Sequence, residues 1–176
     1  LMVGLGRAAQ QGILIKDAGS LEMFCKTNAI VLDKTGTVTI GRPQVTEVFW
    51  DPEYKTGKNA GTRDIPAAVT AIELMSEHPF AHALVNFFGT GHGTANQPGR
   101  PVTVSGFESL TGKGVSATVS GDLYLIGSRS YIAGNGSEFP EWVEDRELKG
   151  KQQARSMVYV ACNKKIAALV SLADTV

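Results

Sequence analysis

The chain has no excess of charge of either sign: 17 Lys and Arg face 17 Asp and Glu in 176 residues. Nucleic-acid binding needs a basic surface, and nothing in this balance points to one. Cysteine is scarce, with only Cys25 and Cys162. Far apart and without metal-ligand spacing, they read as reduced thiols, not a zinc site or a disulfide framework. No apolar run reaches the length of a membrane span, the Leu1-Met2-Val3-Gly4-Leu5-Gly6 opening is too short to count, and no signal-peptide pattern is present. No internal repeat is visible. A hydrophobic content of 43% with 19% charged residues is ordinary for a globular chain, long enough for one or two domains with a real core. Both ends look cut, because the chain opens on helix-like apolar residues and stops at Asp174-Thr175-Val176 just after a strand. The expectation is a piece of a larger protein.

The most informative stretch that is present is Asp33-Lys34-Thr35-Gly36-Thr37, behind the apolar run Ala29-Ile30-Val31-Leu32. A short β-branched run bounded by a turn signal predicts a buried parallel strand. Its carboxylate would emerge at the carboxyl edge of a sheet, where open α/β folds bind ligands. A carboxylate placed there can attack the terminal phosphorus of a nucleotide and form an aspartyl phosphate. Lys34 offers positive charge to the phosphoryl oxygens, and Gly36 lets the backbone approach them. Thr35 offers oxygens but no second carboxylate to activate water, so the aspartyl phosphate should persist.

Periodicity and caps divide the rest. Residues 7–26 read as a helix, a turn at Gly12, a short Ile13-Leu14-Ile15 strand and a second helix capped near Asp17 to Ser20. After Gly41-Arg42-Pro43 the composition changes, residues 45–50 alternate like a strand, and a domain boundary falls near Gln44. Asp64 caps a helix with Pro66 in its first turn and Val69, Ile72 and Met75 on its apolar face. Ser76-Glu77-His78-Pro79 breaks it, and Pro79 opens a helix with Ala81, Leu84, Val85 and Phe88 on one face. Residues 89–101 read as a loop. Strands follow at 102–108 and 115–120, then Gly121-Asp122 as a hairpin signal before 123–126. Helices at 128–133 and 140–155 precede a last hairpin pairing 157–162 with 166–172 across Asn163-Lys164-Lys165. Hairpins joined to helices make this middle region α+β with an antiparallel sheet.

The motif from Asp33 to Thr37 resembles the signature of P-type ATPases, ion pumps that pass through a phosphorylated aspartate. The middle region is similar to one branch of them, the heavy-metal pumps. Ser76-Glu77-His78-Pro79 resembles that branch's His-Pro motif, which implies that His78 contacts the adenine ring. A largely neutral imidazole can stack on a base or hydrogen-bond to it near pH 7. Glu73, five residues before His78, stands where the branch places an acid that accepts from the adenine amino group. Gly112-Lys113-Gly114 resembles its Gly-x-Gly turn, where the missing side chains of Gly112 and Gly114 let a nucleotide lie on the backbone. Gly127-Ser128 departs from the Gly-Asn of many relatives: Ser128 keeps a hydroxyl but lacks the amide's paired donor and acceptor, so weaker nucleotide affinity is expected. Phe80 and Phe107 flank the motif residues and could wall the pocket, with core packing the expectation for both.

The resemblance implies an ATP-binding domain over 44–172, part of a haloacid-dehalogenase-like α/β phosphorylation domain over 1–43, and a hinge back to it at 173–176. ATP and Mg²⁺ are the implied cofactors, with Lys34 on the phosphoryl group and Asp33 and Thr35 supplying part of an octahedral oxygen shell for the metal. The remaining carboxylates, the membrane helices that carry the metal ion, and the actuator domain would lie elsewhere in the pump. Cytosolic placement within an integral membrane protein follows, as does inactivity of the piece alone. Glu77, together with Lys16-Asp17-Ala18-Gly19-Ser20-Leu21-Glu22, looks more like the copper pumps than the zinc or cadmium ones. An aspartate-dependent phosphatase and a stand-alone nucleotide-sensing module are the alternatives. Half of a doubly wound sheet leaves apolar surface uncovered, so residues 1–26 are expected to be the less stable part.

Overall fold

The computed structural model describes residues 2–33, 37–55, 63–90, 102–153 and 155–174. Two units are distinguished, Leu1–Lys34 and Thr35–Val176. In the first, helix α1 (Met2–Gln10) ends before Gly12, whose φ of +77° suits a residue without a Cβ. Helix α2 (Ala18–Phe24) starts where expected: the Asp17 carboxylate accepts hydrogen bonds from Ser20 N at 2.7 Å and Ser20 Oγ at 2.8 Å. Two expected strands do not form. Ile13-Leu14-Ile15 and residues 29–33 have no regular structure, and Val31 is 98% exposed. A parallel strand exists only through its ladder neighbours, and among the described residues none pairs with either run. Ile13, Leu14, Met23, Phe24, Ile30 and Leu32 are likewise exposed.

The second unit is built on one six-stranded antiparallel sheet of order β1-β6-β5-β4-β3-β2. Its strands are β1 (Pro43–Trp50), β2 (Val104–Leu110), β3 (Gly114–Val119), β4 (Asp122–Gly127), β5 (Ser156–Cys162) and β6 (Lys165–Asp174). The turns between β3 and β4 and between β5 and β6 hold Ser120-Gly121 and Asn163-Lys164, all four residues with positive φ as a two-residue type I′ turn requires. The first of these turns lies one residue earlier than the expected Gly121-Asp122. Strand β6 runs two residues past its expected end, and its last residue pairs with the first of β1 (Pro43↔Asp174). There the Asp174 carboxylate accepts from the Thr39 hydroxyl and from Arg42 N at 3.0 Å, which ties the approach to β1 to the end of β6.

Alternation along the strands gives the sheet two apolar faces. Val158, Val160 and Cys162 of β5 face helices α4 (Ile65–Glu73) and α5 (Pro79–Gly89), with Val69, Ile72, Leu84 and Phe88 in the same core. Tyr159 and Ala161 face the other way, toward Ile132 of α6 (Arg129–Gly134) and Val143 of α7 (Glu141–Gln152). A single turn, α3 (Pro52–Lys55), follows β1, and there Tyr54 stacks on Trp50 at 5.1 Å. The Asp64 cap forms, accepting from Ala67 N at 3.0 Å. Met75 falls beyond the end of α4 and is 52% exposed, so it is not part of the apolar face expected of it. The expected loop starts one residue late, since α5 takes in Gly89, and most of it (91–101) lies outside the described residues. No helix among the described residues is long and apolar enough to cross a membrane.

Candidate functional site

Between α4 and α5 the chain must stop and restart a helix within five residues. Pro79 takes the first helical position, where its missing N–H costs nothing. His78 is the N-cap, in extended conformation, and its Nδ1 accepts from Phe80 N at 3.1 Å. That bond uses the Nδ1 lone pair, so the neutral ring carries its proton on Nε2 as an outward donor. The imidazole meets the Phe80 ring edge-on at 5.0 Å. Glu73, the last residue of α4, is buried and makes no ion pair among the described residues. Desolvation pushes its carboxyl up to about 7, against a smaller downward pull from the Ser76 hydroxyl.

The facing wall comes from the turn between β2 and β3 and from the end of β4. Gly112 holds φ +72°, which closes the turn. Gly114 and Gly127 are cross-strand partners, and each needs its missing Cβ. A Cβ on Gly114 would fall on the Ile126 carbonyl and within 2.7 Å of Gly127 Cα; one on Gly127 would lie 2.6 Å from Gly114 Cα. Ser128 N donates to the Lys113 carbonyl at 2.8 Å. Its hydroxyl accepts from Tyr131 N at 3.4 Å as the cap of α6 and lies 3.2 Å from Ser130 Oγ.

These walls enclose a cavity of about 160 Å³ lined by Glu73, His78, Gly112, Gly127 and Ser128, with Lys113 and Phe80 also facing it. Five of the six residues assigned to cofactor binding from the sequence are therefore brought together. The sixth, Gly114, is set behind the lining and permits the close approach of Gly127. Phe80 both lines the cavity and packs on the core, while Phe107 does only the latter. Sequence reasoning missed Met157 and Val158, which close the cavity from β5, and gave Lys113 no role. Asp33 is exposed in the first unit, and Lys34 and Thr35 lie outside the described residues. Among the described residues no group of three or more His, Cys, Asp or Glu could hold a metal ion.

Residues 27–176 match the family model of haloacid dehalogenase-like hydrolases. The chain belongs to that family. The copper-transporting ATPase 2 of Rhizobium meliloti is 34% identical over all of this chain and 20% of that protein. The copper-exporting P-type ATPase of Legionella pneumophila is 35% identical over all of this chain and 22% of its own length. This haloacid dehalogenase-like chain thus spans about a fifth of the length of the curated relatives it matches. Among solved structures, a zinc-transporting PIB-type ATPase in the E2.Pi state superposes with a TM-score of 0.64 at 26% identity, covering 98% of this chain and 26% of that one. The catalytic domain of the CPx-ATPase CopB-B shares the fold, with a TM-score of 0.62 at 21% identity over 97% of this chain and 52% of its own.

Proposed function

We propose that this chain is the ATP-binding and phosphorylation portion of a heavy-metal P-type ATPase, a cytosolic part of an integral membrane pump, with copper favoured as the ion. One observation carries the reading: Glu73 and His78 from a helix break meet Gly112, Gly127 and Ser128 from two strand ends around one cavity. The five are separated in sequence by up to 55 positions, counting from Glu73 to Ser128, and a helix break plus two strand ends have no packing reason to be hollow there. The copper-transporting relatives favour copper; the zinc-transporting structural neighbour keeps zinc as the alternative.

In this reading residues 44–172 hold the nucleotide, residues 1–43 bring the nucleophile, and residues 173–176 lead back. The Nε2–H of His78 donates to, or its ring stacks on, the adenine, and Glu73 accepts from the amino group. Gly112 and Gly127 leave bare backbone for the nucleotide to lie on. An Asp33 oxygen attacks the γ-phosphorus, the bond from that phosphorus to the bridging β-γ oxygen breaks, and ADP leaves with the electron pair. Lys34 balances the phosphoryl charge. Thr35 in place of a second acid disfavours the simple phosphatase. Mg²⁺ accompanies ATP in the resemblance, and Asp33 and Thr35 would contribute to its shell. The described donors do not make up an octahedral set.

The test is a titration of the chain with ATP, ADP and AMP by NMR or calorimetry, beside His78→Gln and Asp33→Asn. Saturable binding that is lost in His78→Gln and kept in Asp33→Asn is expected. Binding that depends on Asp33 but not His78 would revive the phosphatase-like reading.

A further inference from the structure

We infer that Lys113 reads the phosphate chain, so that the cavity selects nucleoside di- and triphosphates over the bare nucleoside. The inference rests on the nucleotide reading above and adds to it a residue with no assigned role. Lys113 is the only Lys or Arg lining the cavity among the described residues, and Glu73 is the only acid. The two stand on opposite walls: Glu73 on the helical side with His78, Lys113 on the turn with Gly112. A polyphosphate is repelled from the first and drawn to the second. The charges therefore orient the ligand, with its base toward the break between α4 and α5 and its phosphates toward the turn between β2 and β3.

The backbone of Lys113 is held in place by the turn. Its N–H donates to the Leu110 carbonyl at 3.0 Å, and its carbonyl accepts from Ser128 N at 2.8 Å. The glycine beside it at 114 packs against the Gly127 backbone. Its side chain makes no ion pair among the described residues. Elsewhere in the unit several cations are paired: Arg63 with Asp122, Arg129 with Glu144 and Glu147, Lys151 with Glu147, and Arg155 with Glu47; Lys113 is set apart by its place on the cavity wall. Three unused donors on a fixed turn at the cavity rim suit a flexible anionic chain, for which lysine acts as a point charge.

The experiment compares ATP, ADP and adenosine on the 176-residue chain, as wild type, Lys113→Met, Lys113→Arg and His78→Gln, at two salt concentrations. Lys113→Met should lower ATP and ADP affinity about three- to tenfold, leave adenosine affinity unchanged and flatten the salt dependence. Lys113→Arg should restore the preference for phosphates. An ATP-to-adenosine preference that survives Lys113→Met overturns the inference, as does equal weakening of both ligands, which would mark a purely structural turn. Adenosine binding that is indifferent to His78→Gln, or no nucleotide binding by the wild type, overturns the nucleotide reading itself and Lys113 with it.

Discussion

Two glutamates are buried to nearly the same degree on opposite sides of one sheet, Glu73 at 6% and Glu147 at 7% exposure, and their surroundings treat them in opposite ways. Burial pushes the Glu147 carboxyl up, but Lys151, Tyr159 and Arg129 hydrogen-bond to it and outweigh that, leaving it below the usual range. Lys151 Nζ lies 2.6 Å from it, and Arg129, which bonds both Glu147 and Glu144, also sits over the Phe139 ring at 4.4 Å. Glu73 has no such cation among the described residues and rises to about 7. The α6–α7 side spends its buried acid on holding two helices together. On the α4–α5 side the acid is left facing a cavity, where an incoming ligand can complete it. A buried carboxylate alone is therefore a poor marker of function; one that faces a cavity without a paired cation is a better one.

The largest way to break this contrast is to fill the hollow wall. Gly114→Val must displace the backbone of both β4 partners, and a loss of about 3 kcal/mol in urea unfolding is expected. An unchanged midpoint would mean that the two strands can part freely. Next, Arg129→Met should make Glu147 resemble Glu73. The Glu147 carboxyl should titrate higher by NMR, and stability should fall by about 2 kcal/mol, less than for a fully buried pair because Arg129 is partly exposed and Lys151 remains.

Removing the charge of Glu73 acts in the other direction. Its folded pKa lies above the unfolded value, so the folded state loses stability as pH rises from about 4.5 through about 7, and the whole penalty is present above that. Glu73→Gln should thus be neutral at pH 4 and stabilising by about 2 kcal/mol at pH 8, read as a flatter Tm-versus-pH curve. Parallel curves for the two proteins would show that Glu73 is solvated. The smallest change expected is in Ser128→Asn, which adds an amide at the cavity rim and should tighten ATP about two- to threefold by calorimetry. Affinity equal to that of the natural chain would show that Ser128 serves only as the α6 cap.

Much of the sheet domain was legible because its signals are local. Asp64 and His78-Pro79 mark two helix starts by cap chemistry, alternation marks β3, and a continuous apolar run marks β5. The site motifs were legible singly, yet their meeting depends on pairing Gly114 with Gly127, which no local pattern states. Met157 and Val158 were invisible for the same reason: a strand reads as core until the neighbouring layer is known to leave a gap. Non-local pairing also explains the misses. Ile13-Leu14-Ile15 and Ala29-Ile30-Val31-Leu32 have strand composition but no ladder partner among the described residues. The pairing of β1 with the end of β6 joins residues 131 positions apart, Pro43 and Asp174.

That last pairing has a mechanical consequence. The approach to the sheet and the exit from it meet at one corner, held by the Asp174 carboxylate against Thr39 and Arg42. Because β1 is an edge strand antiparallel to β6, tension between these two ends pulls across the ladder and opens it one hydrogen bond at a time, like a zipper. Tension along the strands would have to break the whole row at once. The corner is therefore compliant to separation, and a single carboxylate is the clasp that sets how much force starts the opening.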